Sequence, residues 1–425
     1  MNAWPQWAAG IAAGIAGVLL LVLWSVRRHR PPSLGMACEG DMASLTDSLA
    51  GLSLGTVVPG NAVELVLDDA FFDAVEEQIG AARHTVHLEN FLWKKGVVAT
   101  RMTTALCKAA RRGVCVRVLL DGMGGRRMGR AARRALRAAG CRVAFFHRWS
   151  LRNLGVLTDR DHRKLVITDG HTALVGGHCY TDAWLGDHIP ATEQLPAYDV
   201  SVRVRGPIVH TLQGAFSENW AGETGELFAG DAVFPPLQPA GAIAMHAAYA
   251  KPERSAPAVK ILHHAAICMA HRRIQVQNPY FIPKPEAIDA FGAAVRRGVE
   301  VRVLMPAIDA TDNPVVNLAA RRNFGKLLRC GVQLFECHKG LIHQKVMTID
   351  GSWSAVGSSN FDDRSFDTND ELTLGILDDG VARQLDALFE RLLRSARPVS
   401  LQEWEHRPLH RRLQEHACYS LRQVL

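Results

Sequence analysis

Two short stretches of this sequence carry groups able to work on a phosphorus centre. His162, Lys164 and Asp169 lie in HRKLVITD, and His343, Lys345 and Asp350 lie in HQKVMTID. In both, histidine and lysine stand two apart, and an apolar, β-branched run leads on to an aspartate. Such a run reads as a strand, whose side chains alternate, so each His-Lys pair projects from one face. One imidazole can attack phosphorus and carry the transferred group covalently. The other can protonate the leaving alkoxide and then deprotonate the incoming alcohol or water. Two ammonium groups neutralise the non-bridging oxygens as charge builds in the transition state. This chemistry needs no metal or cofactor, and no carboxylate cluster or Cys/His spacing in the sequence offers a metal site. The aspartates read differently. Each precedes a glycine, Asp169-Gly170 and Asp350-Gly351. Asp-Gly is what a tight hairpin turn wants, so these two support the site more than they react.

The elements that must position these groups are repeated. ARRGVCVRVLLD (110–121) matches VRRGVEVRVLMP (295–306), and RHTVHLENFLW (83–93) matches RRIQVQNPYFI (272–282). LRAAGCRVAFFH (136–147) matches LLRCGVQLFECH (327–338), and the two His-Lys segments follow in the same order. Four matched blocks in one order make two copies of an α/β unit, in which short apolar strands alternate with helices that cover them. The expected layout is an N-terminal segment over 1–30, a linker over 31–60, a first half over 61–235, a second over 236–398 and an amphipathic tail over 399–425. FPPLQP (234–239) marks the boundary between halves. A lone His-x-Lys is ordinary surface; two at matched places in a duplicated unit, facing one cleft, are a site.

The paired motifs resemble those of the phospholipase D superfamily, and the resemblance runs from about residue 60 to 415. It is nearest to bacterial cardiolipin synthases. Supporting segments are LLDGMGG (119–125), YDVSVRVRGPIV (198–209), QNPYFIP (277–283), VGSSNFDDRSF (356–366) and the tail SARPVSLQEWEHRPLHRRL (395–413). The resemblance implies two pseudo-symmetric α/β sandwich halves forming one catalytic body. It implies a covalent phospho-histidine, with His162 as nucleophile and His343 as general acid and base. It also implies an asparagine after each motif that helps hold the phosphoryl oxygens. Asn360 fills that place in the second copy; Cys179 stands there in the first, with His178 beside it as the candidate to substitute. Finally it implies a carboxylate later in each copy that orients that copy's histidine: Glu371 in the second and Asp199 in the first. Tyr280 and Phe281 pack or line the cleft, and His147, His263, His264 and His338 are ordinary.

The surroundings point to a membrane. Trp7 to Val26 contains no charged residue and ends in Trp24, Arg27, Arg28, His29 and Arg30. An apolar stretch of about 20 residues followed by an aromatic and a basic cluster reads as a transmembrane anchor, its basic end cytoplasmic. A cleaved signal peptide fits poorly, because no basic residue precedes the apolar run. The catalytic body is then expected on the cytoplasmic face of the cell membrane. Nine scattered cysteines without a CxxC agree with reduced thiols. The net charge of +7 admits either nucleic acid or an anionic bilayer as partner. An arginine run from Arg126 to Arg152 without an acidic residue, and Trp404, Leu409 and Leu413 in the tail, favour the bilayer. The expected partners are anionic phospholipids, phosphatidylglycerol first, with no nucleic acid and no obligatory protein partner. The expected activity is transfer of a phosphatidyl group to a second phospholipid, making cardiolipin. Hydrolysis to phosphatidic acid, a nuclease, and a binding protein with a decayed site are the rivals.

Overall fold

A computed structural model describes residues 10–11, 13–18, 40–148, 158–186, 189, 195–250 and 257–420. The chain forms two compact units, Met1–Gly35 and Met36–Leu425. In the first, residues 10–11 and 13–18 are helical. The rest of the expected anchor, with Trp24 and its basic flank, lies outside the described residues. Among the described residues no helix is long and apolar enough to cross a membrane.

The second unit holds the repeat. The first half contributes β1 (Val58–Leu67), β2 (Thr85–Asn90), β3 (Cys115–Asp121), β4 (Arg142–Phe146), β5 (Leu165–Thr168), β6 (Thr172–Gly176), β7 (Ala197–Tyr198) and β8 (Val200–Arg205). The second contributes β9 (Ile243–Ala250), β10 (Arg273–Gln277), β11 (Glu300–Pro306), β12 (Gln333–Cys337), β13 (Leu341–Ile342), β14 (Val346–Ile349), β15 (Trp353–Gly357), β16 (Glu371–Leu377) and β17 (Ala396–Pro398). Strand order is β1-β8-β6-β5-β2-β3-β4 in one half and β9-β16-β15-β14-β10-β11-β12 in the other, with β17 added at the outer edge. The two orders are the same, as a duplication requires. β1 and β9 pair antiparallel, Val58 opposite Met245 and Asn61 opposite Ile243, so the two sheets run into one.

Each sheet is covered on both faces. On the outer face of the first, the helix Val97–Arg111 buries Val98, Met102 and Leu106, one residue per helical turn, against Val86, Leu88 and Val118. The helices Ala258–Met269 and Pro285–Arg296 do the same in the second, with Leu262 and Phe291 over Ile274 and Val276. The inner faces share one core. Leu165, Ile167 and Val175 of the first half pack in a single cluster with Leu304, Val346 and Val356 of the second, together with the helices Val209–Thr224 and Asp379–Leu393. At roughly 1.5–3 kcal/mol per buried aliphatic side chain, this shared core makes each half depend on the other.

The repeated Arg-Arg-Gly has a repeated structural job. Arg112 donates to the carbonyls of Ile79, Gly80 and Ala82, and Arg297 to those of Ile267, Cys268 and Ala270. Each guanidinium thus satisfies the C-terminal carbonyls of the preceding helix. Gly113 and Gly298, at φ +92° and +91°, then turn the chain into the next strand.

The segment expected as a linker over 31–60 is not all linker. It contains the helix Met42–Leu52, N-capped by Asp41, whose Met42 and Leu49 are buried in the second half's core. β1 also begins inside it, at Val58.

Candidate active site

Each histidine enters the site from a short backbone pairing with the other half. His162 follows Asp161, which bridges Asp370, and the His162 N–H donates to the Asp370 carbonyl at 2.9 Å. His343 follows β13, which pairs with β7, and its N–H donates to the Tyr198 carbonyl at 2.9 Å. Asp370 immediately precedes Glu371, and Tyr198 immediately precedes Asp199. The same stitch therefore brings each carboxylate onto the opposite copy's imidazole. Glu371 oxygens lie 3.0 and 3.2 Å from His162 Nδ1, and Asp199 Oδ2 lies 2.6 Å from His343 Nδ1. This corrects the expectation that Glu371 orients His343 and Asp199 orients His162: the pairing is crossed. Spacing within one copy could not show it, because the exchange arises where the halves meet.

Both imidazoles are buried and neutral at rest. Burial pushes His162 down to about 4, against the pull of Glu371. Burial and the neighbouring Lys345 push His343 well below its ordinary value. With Nδ1 facing a carboxylate, the proton belongs on Nδ1 and the Nε2 lone pair is left for chemistry. Burial alone would raise Glu371; the His162 ring, Lys164 and the Ser358 hydroxyl outweigh it and hold it low. Burial raises Asp199. Lys164 and Lys345 are buried, each within bonding reach of its own histidine's carbonyl. Lys345 Nζ is also 3.0 Å from both ring nitrogens of His343. Burial pushes Lys164 down and Lys345 down to about 8. Phe91 meets His162 edge-on at 5.1 Å, and Trp184, from the first half, meets His343 edge-on at 5.1 Å. Neither ring announces itself in the sequence.

The other expected residues fall into place unevenly. Asp169 and Asp350 do not join the cluster; they sit at the far ends of β5 and β14 with φ +52° and +57°. Asp169 accepts from the N–H groups of Arg83, His84 and Thr85, and Asp350 from those of His271, Arg272 and Arg273. They tie the hairpin turn to the start of the neighbouring strand, the supporting role that Asp-Gly suggests. Asn360 is buried, and its side-chain oxygen has no protein hydrogen bond. Cys179 is buried at the matching place, close enough that Lys164 and Lys345 act on its thiol, which burial pushes up. His178 does not stand in for the missing amide. Its Nδ1 bonds Ser201 Oγ at 2.8 Å, its Nε2 bonds the Asp68 carbonyl at 3.0 Å, and its ring stacks on Phe71. Tyr280 donates to Asp312 at 2.7 Å, and Phe281 is core. Among the described residues no group of three or more His, Cys, Asp or Glu side chains could hold a metal ion.

Comparison with known proteins bears on this geometry. The family profile described as "Cardiolipin synthase, PLD-like domain" matches residues 75–187 and 264–393, one match in each half. Cardiolipin synthase A of Pseudomonas putida is 32% identical over 345 residues, which is 81% of this chain and 70% of that protein. The chain belongs to the phospholipase D-like cardiolipin synthase family. The major cardiolipin synthase of Bacillus subtilis is 31% identical over 86% of this chain and 76% of its own length. Among solved structures, phosphatidylserine synthase of Haemophilus influenzae shares the fold, with a TM-score of 0.65 at 12% identity, covering 88% of this chain and 98% of its own. Membership makes the chain an enzyme of phospholipase D-type phosphodiester transfer, acting on phospholipid.

Proposed function

We propose that the enzyme is a membrane-bound phosphatidyltransferase that makes cardiolipin through a phospho-histidine. The convergence of His162, Lys164, His343 and Lys345, with one carboxylate crossing to each histidine, carries the reading. As the anionic phosphodiester enters, His343 takes up a proton on Nε2; His162 Nε2 then attacks the donor lipid's phosphorus, and the bond to the leaving alkoxide breaks as that oxygen takes this proton from His343. The primary hydroxyl of phosphatidylglycerol then gives its proton to His343 as its oxygen attacks the phosphorus, and His162 leaves. Glu371 stabilises the positive charge that grows on His162. Lys164 and Lys345 hold the non-bridging oxygens, and Asn360 offers its amide to the same group. We assign residues 7–26 as a single membrane-spanning anchor that sets the catalytic body on the cytoplasmic face, within reach of anionic lipid.

Expression in cells lacking cardiolipin, followed by lipid profiling, tests the reading. Cardiolipin is expected with the natural chain and not with His162→Ala. Phosphatidic acid alone would replace transfer by hydrolysis. No lipid change together with DNA cleavage in vitro would overturn both lipid readings.

A further inference from the structure

The last helix, Leu409–Ser420, is built inside out. Glu415 is 1% exposed, while Leu409 and Leu413 are 70% and 63% exposed. At 100° per residue, Glu415, Cys418 and Tyr419 share one side, and Leu409, Leu413 and Ser420 share the other, with Arg412 and His416 along its border; Arg412 donates to the Glu405 and Arg407 carbonyls and His416 accepts from Arg322. The inward side is tied to the body. Arg407 bonds both Glu415 oxygens at 2.9 and 3.1 Å, and Arg321 Nε approaches the same carboxylate at 3.9 Å. Cys418 and Tyr419 pack against the second half's core. An exposed leucine by itself is ordinary. Here two lie at i and i+4, on a helix whose one acidic side chain is turned inward, so the outward face is apolar and basic with no carboxylate on it. Val315, on the helix Pro314–Arg321 that packs beside it, and Ile308 just before are exposed as well. Trp404 fixes the tail's position. Its indole lies so close over Gly325 that a Cβ there would sit 2.2 Å from the ring, and its Nε1 donates to the Arg321 carbonyl at 3.2 Å. Between tail and body an open cavity of about 630 Å³ is lined by Trp404 and by both signs of charge, Arg321, Arg407 and Arg411 beside Glu336 and Glu403.

We propose that the outward face of Leu409–Ser420 docks the catalytic body on an anionic phospholipid bilayer, with Leu409 and Leu413 entering the headgroup–acyl boundary and Arg412 at their edge meeting lipid phosphate. Charge complementarity selects this occupant. Two leucines beside Arg412, with no carboxylate on their side of the helix, match a surface that is negative outside and apolar beneath, whereas a second copy of the same face would bring Arg412 against Arg412. The proposal rests on the lipid reading of the active site, and it adds a second, reversible attachment that presents the site to its substrate plane.

The test uses the full chain reconstituted in vesicles of phosphatidylglycerol or of phosphatidylcholine. The photoreactive residue p-benzoylphenylalanine replaces Leu413, or Gln384 on the helix Asp379–Leu393 as control. Lipid adducts are expected at position 413, several-fold more in phosphatidylglycerol, and few at 384. Equal labelling at both positions, no lipid adduct at 413, or a chain-to-chain adduct in its place would overturn the proposal. Separately, Leu409→Glu with Leu413→Glu should raise the apparent KM for vesicle phosphatidylglycerol on the order of tenfold with kcat unchanged, because only surface engagement is weakened. An unchanged KM would also overturn it. Adducts at 413 from a chain that forms no cardiolipin leave docking standing and remove the transferase reading, so the two can fail separately.

Discussion

The two halves share a strand order and a motif, yet what lies beneath each histidine differs. Under His162 the first half buries charge. Asn219 donates to Glu89 at 2.9 Å, and Glu89 sits carboxyl to carboxyl with Asp161. Asp161 accepts the Arg163 N–H at 3.1 Å, and Arg163 faces Asp370 at 3.7 Å. The corresponding positions under His343 are neutral: Gln277, Ile342, Gln344 and Tyr198. Strand register supports the match, with Glu89 opposite Leu165 and Gln277 opposite Val346, each three residues beyond its histidine. The motif's tail differs too. Ser358 donates to Glu371, whereas Gly177 has no side chain and a Cβ there would fall 2.4 Å from Asp199. Duplication preserved the scaffold, and the two active-site sides diverged around it. The first keeps a proton in a buried carboxyl pair; the second supplies hydroxyl and amide groups. A symmetric cleft thereby acquires two unlike histidines, the difference that the proposed split between nucleophile and proton carrier needs.

The largest effects should fall on the histidines themselves. His162→Asn and His343→Asn should each lower kcat at least on the order of a thousandfold. A phosphoenzyme trapped in the His343→Asn variant with labelled phospholipid should map to His162; label on any other residue would break the assigned asymmetry. Next come the carboxylates, at about 10–100-fold for Glu371→Gln or Asp199→Asn. Because the pairing is crossed, Glu371→Gln should cost little more when combined with His162→Asn, yet retain its full cost beside His343→Asn. The opposite pattern would restore pairing within each copy. The lysines give a pH signature. Lys345 loses its proton near pH 8, so kcat/KM should fall as pH rises through that value, and Lys345→Arg should carry the alkaline limb upward. An unmoved limb would assign it to another group. Cys179→Asn, which restores the amide the family places there, should raise kcat by a few-fold; a fall would show the thiol to be fitted to its place.

The smallest effect concerns stability. Burial pushes Glu89 up to about 7, so the folded state binds this proton more tightly than the unfolded chain does. Its contribution is fully present below the ordinary carboxylate range and is lost as pH rises through about 7. Glu89→Gln, which copies the neutral second half, should therefore gain stability relative to the natural chain on going from pH 5 to pH 8, read by denaturant unfolding. A flat difference would show that Glu89 holds no such proton.

Much of this is legible in the residues. Strand alternation puts each His and Lys on one face, Asp-Gly predicts two positive-φ turns, and repeated blocks predict two halves with one strand order. These are local or periodic properties, so sequence carries them directly. The apolar stripe of Met42 and Leu49 is equally local, but its partner, the helix Ala258–Met269, lies some 200 residues away, so the segment reads as linker until the two meet. His178 reads as available in the sequence, yet its two ring nitrogens are bonded to Ser201 and Asp68. The tail's amphipathic character is visible, but which side it turns to the body is not.

The sequence by itself determined the chemistry: two imidazoles, two ammonium groups and the strands that hold them. The tertiary structure decided the partners. Glu371 serves His162 and Asp199 serves His343 because β7 pairs with β13 and Asp161 bridges Asp370, contacts made across the junction of the two halves. Burial did the rest. It neutralised the histidines and kept a proton near Glu89, because desolvation depends on everything packed around a group and not on its neighbours along the chain.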